Sequence, residues 1–270
     1  MNKEDIINVT EKYLINSAGN YISEETALHP GCVGMRIYDA PIFSFGIVDD
    51  ELYAEYKSHD VIGSHFLSPR QWLPTAKTVI AFFLPYTEKI KTANAPNNRW
   101  PADEWLHSRY EGQLLLGQLL MYLAETISEG GYKSIVPTAD PRYKTGLDGN
   151  GFTSNWSERH VAYACGLGTF GLSKGIITKK GMSGRLGSII TELDLPKDTK
   201  EYSAIYEYCT MCGACIGRCP AGAISKGGKD SALCSGFLDK TREKHKPRYG
   251  CGKCQVRVPC ESSIPKKIKG

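Results

Sequence analysis

Residues 209–220 read CTMCGACIGRCP, which places Cys209, Cys212, Cys215 and Cys219 in a C-x2-C-x2-C-x3-C-P run. This is the spacing of proteins that hold two [4Fe–4S] clusters. A cubane needs four thiolates converging on its iron corners, and two-residue spacers let three consecutive cysteines wrap one cluster. The fourth cysteine, ahead of the proline, points away and serves a second cluster. That rule demands four more ligands, and Cys234, Cys251, Cys254 and Cys260 supply them. A zinc ribbon would use paired C-x2-C but has no need of the third cysteine or of the Cys-Pro step.

By analogy with two-cluster ferredoxins, Cys209, Cys212, Cys215 and Cys260 are expected to hold one cluster, and Cys219, Cys234, Cys251 and Cys254 the other. The two remaining cysteines of the ten fall outside this set. Cys165 closes an apolar helix face and reads as core, whereas Cys32 lies in a loop, HPGCVG, with no named partner.

The chain of 270 residues is long enough for one large domain or two modest ones. Hydrophobic residues make up 41% and charged residues 23%, ordinary for a globular protein. The net charge of +4 does not by itself imply nucleic acid. No apolar run reaches the roughly 20 residues that span a bilayer, and residues 1–20 lack the order of a signal peptide. Ten cysteines without such a signal point to metal rather than disulfides, and to the cytoplasm. The basic stretches 240–248 and 262–270 read as solvated surface, or as a landing site for an acidic donor such as ferredoxin or flavodoxin. Neither a Gly-x-Ser-x-Gly block nor a P-loop is present.

Ahead of the cysteines, the periodicity predicts an amphipathic helix over 3–17 and a long helix over 103–129, with Asp103 as its N-cap and Gly130-Gly131 as its stop. TVIAFFLPY, residues 78–86, predicts a buried strand, followed later by a short strand at 133–137. The stretches 20–57 and 138–155 read as irregular, and 156–165 as a helix. KGIITKK and GSIITELDL read as two strands joined like a hairpin around Gly181–Gly187.

Glu158-Arg159, the run AYACGLGTFGLSKGIITKKG and the strand LGSIITELDL together resemble the corrinoid-binding region of epoxyqueuosine reductases. Residues 249–255, Tyr-Gly-Cys-x-x-Cys-Gln, and LPTAKTVIAFFLPY are similar to that family too. The resemblance spans about residues 60–262. It implies an α+β chain with a nitroreductase-like, cobalamin-processing-type α/β domain over 1–200 and a ferredoxin-like domain over 201–270. It also implies that electrons pass from two [4Fe–4S] clusters to bound cobalamin, and then to a small-molecule or corrinoid-protein substrate. Arg159, Gly168, Phe170, Gly171 and Ser188 become the candidate cofactor-binding residues.

Three departures shape these expectations. The family's proton-donating Asp falls six residues before the Glu of Glu-Arg, where this chain has Phe152, so Asp140, Tyr143 and Asp148 are the candidate substitutes. The family's C-terminal repeat extension, which helps hold tRNA, has no counterpart before residue 270, which disfavours tRNA as the substrate. The last cysteine sits in Val258-Pro259-Cys260-Glu261, displaced from the family's Cys-Pro order. The alternatives are an electron-transfer module without its own substrate, with flavin in the first domain, and true epoxyqueuosine reduction on tRNA.

Overall fold

The computed structural model describes residues 1–148 and 151–266. In chain order the helices are α1 (Lys3–Asn16), α2 (Leu52–Glu55), α3 (Pro69–Trp72), α4 (Glu88–Asn94), α5 (Asp103–Glu129), α6 (Glu158–Cys165), α7 (Ala214–Arg218) and α8 (Ser231–His245). The strands are β1 (Ile42–Ile47), β2 (Thr78–Pro85), β3 (Ser134–Ile135), β4 (Thr145–Asp148), β5 (Gly151–Ser154), β6 (Gly168–Phe170), β7 (Ile176–Thr178), β8 (Gly184–Thr191), β9 (Ile224–Ser225) and β10 (Gly228–Lys229).

A four-stranded antiparallel sheet in the order β1-β2-β8-β3 forms the middle layer. Every residue of β2 is buried, which explains its unbroken apolar run. The pleat sends alternate side chains to opposite faces. Ile80, Phe82 and Leu84 join one core with Leu115, Leu116, Leu119 and Leu123 of α5. Val79, Ala81 and Phe83 join the other with Val161, Ala162 and Ala164 of α6. The molecule is thus helix, sheet, helix around β2.

Several sequence expectations change. The stretch 20–57 contains β1, an edge strand that pairs Ile42–Ile47 with Phe83–Thr78. The supposed loop 138–155 contains the β4–β5 hairpin. The strand near 176 pairs with β6, while β8 pairs with β2 and β3, so the expected hairpin between them does not form. Ala102, not Asp103, caps α5, and Asp103 and Glu104 occupy its first turn, where acidic groups favour the helix dipole.

The cysteine-rich segment packs directly on this frame. Val256 is fully buried in the α5 core. Arg248 pairs with Glu111 of α5, Arg109 Nη2 donates to Tyr249 Oη at 2.9 Å, and Asn94 Nδ2 donates to the Cys251 carbonyl at 3.0 Å. Gly252 has φ +63°, and a Cβ there would lie 1.8 Å from Trp105 Cζ2.

Phe82 is 0% exposed at the centre of the sheet. The Phe82→Ala variant is expected to lose about 3–5 kcal/mol. Urea unfolding should show this as a lower midpoint at unchanged slope.

Candidate functional site

The eight cysteines separate into two cavities. Cys209, Cys212, Cys215 and Cys260 line the first together with Gly171, Leu172, Ile177, Val258 and Pro259. Cys219, Cys234, Cys251 and Cys254 line the second, together with Arg109, Arg159, Arg185 and Trp105. Elements of the C-terminal segment carry these thiols. Cys215 rides on the short α7 and Cys234 on α8, while Gly213, at φ +74°, turns the chain into α7. The displaced last cysteine closes the first set because Met182 N–H, in the loop before β8, donates to the Cys260 carbonyl at 3.0 Å.

Burial and neighbouring thiols raise these groups: Cys260 and Cys251 to about 12, and Cys215 to about 11. Iron binding must therefore displace protons. Two buried cations flank the second set. Lys253 is 1% exposed and donates from Nζ to the carbonyl and Oδ1 of Asn94, at 2.8 and 2.9 Å. Arg218 is 8% exposed and donates to Asn98 and to the Asn94 and Lys253 carbonyls. Neither makes a carboxylate ion pair among the described residues. Burying unpaired cations is costly. Four thiolates around iron–sulfur would supply the missing negative charge, so the donor set fits a [4Fe–4S] group.

Beside the second cavity lies a recess lined by Phe152, Thr153, Ser157, Arg159, His160, Phe170 and Lys174. Arg159 is common to both spaces. Its side chain is exposed, facing open cavity space, and makes no hydrogen bond or ion pair among the described residues. Desolvation and the nearby Arg185 lower its basicity, opposed by Cys254 and Cys234. His160 is held by Ser157 Oγ at 2.8 Å and is pushed down to about 4 by burial and then by Arg159, so it is neutral at pH 7.

The other candidates fall elsewhere. A Cβ on Gly168 would lie 2.2 Å from the Ile177 carbonyl oxygen, so the β6–β7 pairing requires glycine there. Ser188 is fully buried and accepts the Trp156 Nε1–H at 3.0 Å, outside the recess. Gly171 lines the first cysteine cavity. Asp140 is clamped by Arg142, with both oxygens at 2.9 Å from the guanidinium, which keeps it ionised and unsuited to donate a proton. Tyr143 is half-buried against the α6-side core, and burial raises its pKa. Asp148 ends β4, but its side chain lies outside the described part of the structure, as does the basic tail 267–270. Phe152 is 63% exposed on β5.

Sequence reasoning missed Glu158 as a titrating group. Both its oxygens are buried without a hydrogen-bond partner; Ser188 and Trp156 come near enough to temper the effect, but not into bonding geometry. Burial raises this carboxyl to about 7. Sequence reasoning also left Cys32 without a partner, yet its Sγ lies 3.2 Å from His29 Nε2, which is 3.6 Å from Glu104 Oε1. These three lie close enough together to suggest a metal site. His29 Nδ1, however, accepts the Gly31 N–H at 3.1 Å, which puts the ring proton on Nε2, where a metal would bind. The trio instead fastens the 29–32 turn to α5.

Residues 202–225 match the family model of a 4Fe-4S binding domain. The epoxyqueuosine reductase of Bacillus cereus is 31% identical over 215 residues, 71% of this chain and 50% of that protein. The chain is a relative of the epoxyqueuosine reductases. It spans about half the length of the curated relatives it matches. A crystal structure of epoxyqueuosine reductase with an epoxyqueuosine-modified tRNA-Tyr stem loop superposes with a TM-score of 0.54 at 20% identity, covering 98% of this chain and 66% of that one. A reductive dehalogenase, whose structure suggests a mechanism for B12-dependent dehalogenation, superposes at 0.52 with 13% identity over 83% of this chain and 30% of its own. The mixed helix–sheet fold is therefore shared with both groups.

A carboxyl that titrates near 4.3 when unfolded and near 7 when folded binds the extra proton in the native state. Stability contributed by protonated Glu158 is thus present at low pH and lost as pH rises through about 4 to 7. Glu158→Gln should flatten that dependence and raise stability above pH 7 by on the order of 2–4 kcal/mol. Thermal midpoints of both proteins at pH 5 and pH 8 give the comparison.

Proposed function

We propose that the chain is an iron–sulfur reductase of the epoxyqueuosine reductase kind, and that its substrate is epoxyqueuosine in tRNA. Residues 201–270 form a ferredoxin-like domain with two [4Fe–4S] clusters, and residues 1–200 form a nitroreductase-like domain with a corrinoid in the recess. The supporting observation is Arg159, an unpartnered guanidinium shared by the second cysteine cavity and the recess. A reducible group in the recess would lie beside the cavity of the second cysteine set. A one-electron carrier such as ferredoxin or flavodoxin would deliver electrons on the side of exposed Cys212.

A corrinoid bound in the recess would supply a metal centre able to take electrons singly and hand them to a carbon–oxygen bond. The chain's own residues prepare its surroundings. Phe170 and Phe152 offer flat apolar walls, and Arg159 and Lys174 offer hydrogen-bond donors and positive charge. Neutral His160 braces Phe170 with ring centroids 5.0 Å apart. With Phe152 at the position of the family's acid and Asp140 held ionised, Glu158, buried near Ser188 and Trp156 next to Arg159 in the chain, is a carboxyl that retains a proton near neutral pH.

The earlier expectation of a small-molecule or corrinoid-protein substrate draws nothing from the relatives, whose name and tRNA stem-loop complex favour tRNA. Phe152 supports one second reading, an electron-transfer module with flavin in the recess and no substrate of its own. Expression in a strain lacking epoxyqueuosine reductase should restore queuosine to its tRNA. Anaerobically reconstituted protein should hold about eight irons and show corrinoid absorption. Persistence of epoxyqueuosine with a fully iron-loaded protein overturns the tRNA reading, and a yellow flavin spectrum with no turnover supports the second.

A further inference from the structure

The two cysteine cavities differ in one physical respect. The first is lined by no charged side chain: Leu172, Ile177, Val258 and Pro259 surround its thiols, and Met182 Sδ lies 3.4 Å from Cys260 Sγ. The second is lined by Arg109, Arg159, Arg185 and Lys229, and the buried Arg218 and Lys253 lie near enough to Cys251 to interact with its charge. Arg218 directly precedes Cys219, and Lys253 directly precedes Cys254. Both are anchored by neutral groups, Asn94 above all, rather than by carboxylates. Neither charge is taken up in an ion pair among the described residues, although Glu261 lies near enough to offset part of that of Arg218, and the remainder acts on the cavity. Being buried, they are poorly screened by water or salt.

The potential of an iron–sulfur cluster follows its net charge surroundings, sulfur hydrogen bonds and solvent exposure. Reduction adds one negative charge, so fixed cations nearby favour the reduced form. We propose that Lys253 and Arg218 hold the second cluster at a higher reduction potential than the first, so that an electron entering by Cys212 comes to rest beside Arg159. In that step the first cluster gives up one electron and the second accepts it. A one-electron carrier protein then re-reduces the first, and no bond or proton is exchanged. Water at exposed Cys212 works in the opposite sense, by stabilising charge on the first cluster, so the order of potentials is a decisive observable. The inference rests on the two-cluster reading above, but not on any substrate.

The test is an anaerobic redox titration of the reconstituted full-length chain, followed by EPR. Cys212→Ser alters the signal of the first cluster and assigns the two midpoints. In the unsubstituted chain the higher midpoint should belong to the second cluster. Lys253→Met should lower that midpoint and leave the other in place, and Lys253→Arg should keep it near its original value. Arg218→Gln should act in the same direction. If the higher midpoint belongs to the first cluster, the inference is overturned, and this holds even where the variants fail to take up iron. It is also overturned if Lys253→Met and Arg218→Gln carry full iron and move neither midpoint, or move only that of the first cluster. A chain that holds fewer than two clusters defeats the two-cluster reading instead, and iron and sulfide analysis separates that result from the others.

Discussion

The contact between Trp105 and the backbone of Gly250 and Gly252 governs how the halves of this chain meet. Trp105 sits in the first turn of α5, and its ring occupies the space that a side chain at residue 252 would need. The loop can lie flat on the indole because Gly252 adopts φ +63°, a conformation that costs other residues energy. With the loop pinned there, Cys251 and Cys254 face Cys219 and Cys234, and Val256 enters the α5 core. Lys253, between the two cysteines, is driven inward onto Asn94 at the end of α4. One aromatic ring thus sets the position of a loop, two thiols and a buried cation.

The sheet supplies the other side of the arrangement. Because β2 is covered on both faces, α5 and α6 are held at fixed positions across it. Helix α6 delivers Arg159 toward the cysteine cavity and His160 toward the recess, while α5 delivers Arg109. Gly46 of β1 lets α6 approach closely, since a Cβ there would lie 2.7 Å from Cys165 Sγ. Cys165 is accordingly a packing residue, as its place on an apolar helix face suggested.

Elements whose burial is written in their own residues were legible in the sequence. TVIAFFLPY declares a strand covered on both faces, and the leucine periodicity of 103–129 declares a helix. Elements that depend on a distant partner were not. IFSFGI is a strand only because β2 lies beside it, and residues 145–148 and 151–154 are polar enough to pass for a loop until they pair with each other. Spacing marked the cysteine run 209–219, while the grouping of the eight thiols came from analogy with two-cluster ferredoxins. Motif position does not say whether a residue faces a cavity or a neighbouring strand, and Gly168 packs against Ile177 while Ser188 bonds Trp156. The buried cations Arg218 and Lys253 carried one available signal, adjacency to cysteines, but their lack of acidic partners is a property of the folded chain alone.

Arg159 touches two spaces at once, and this has a thermodynamic corollary. A charge change in either space alters the free energy of the same guanidinium, so the two are linked and the linkage is reciprocal. If a ligand in the recess satisfies Arg159, less of its positive charge is left to stabilise an added electron in the cysteine cavity. By the same measure, an electron held in that cavity changes the affinity of the recess for its ligand by an equal factor. Occupancy at one address and oxidation state at the other thus cannot be varied independently. The side chain that joins them acts as a balance, sensing each through the other.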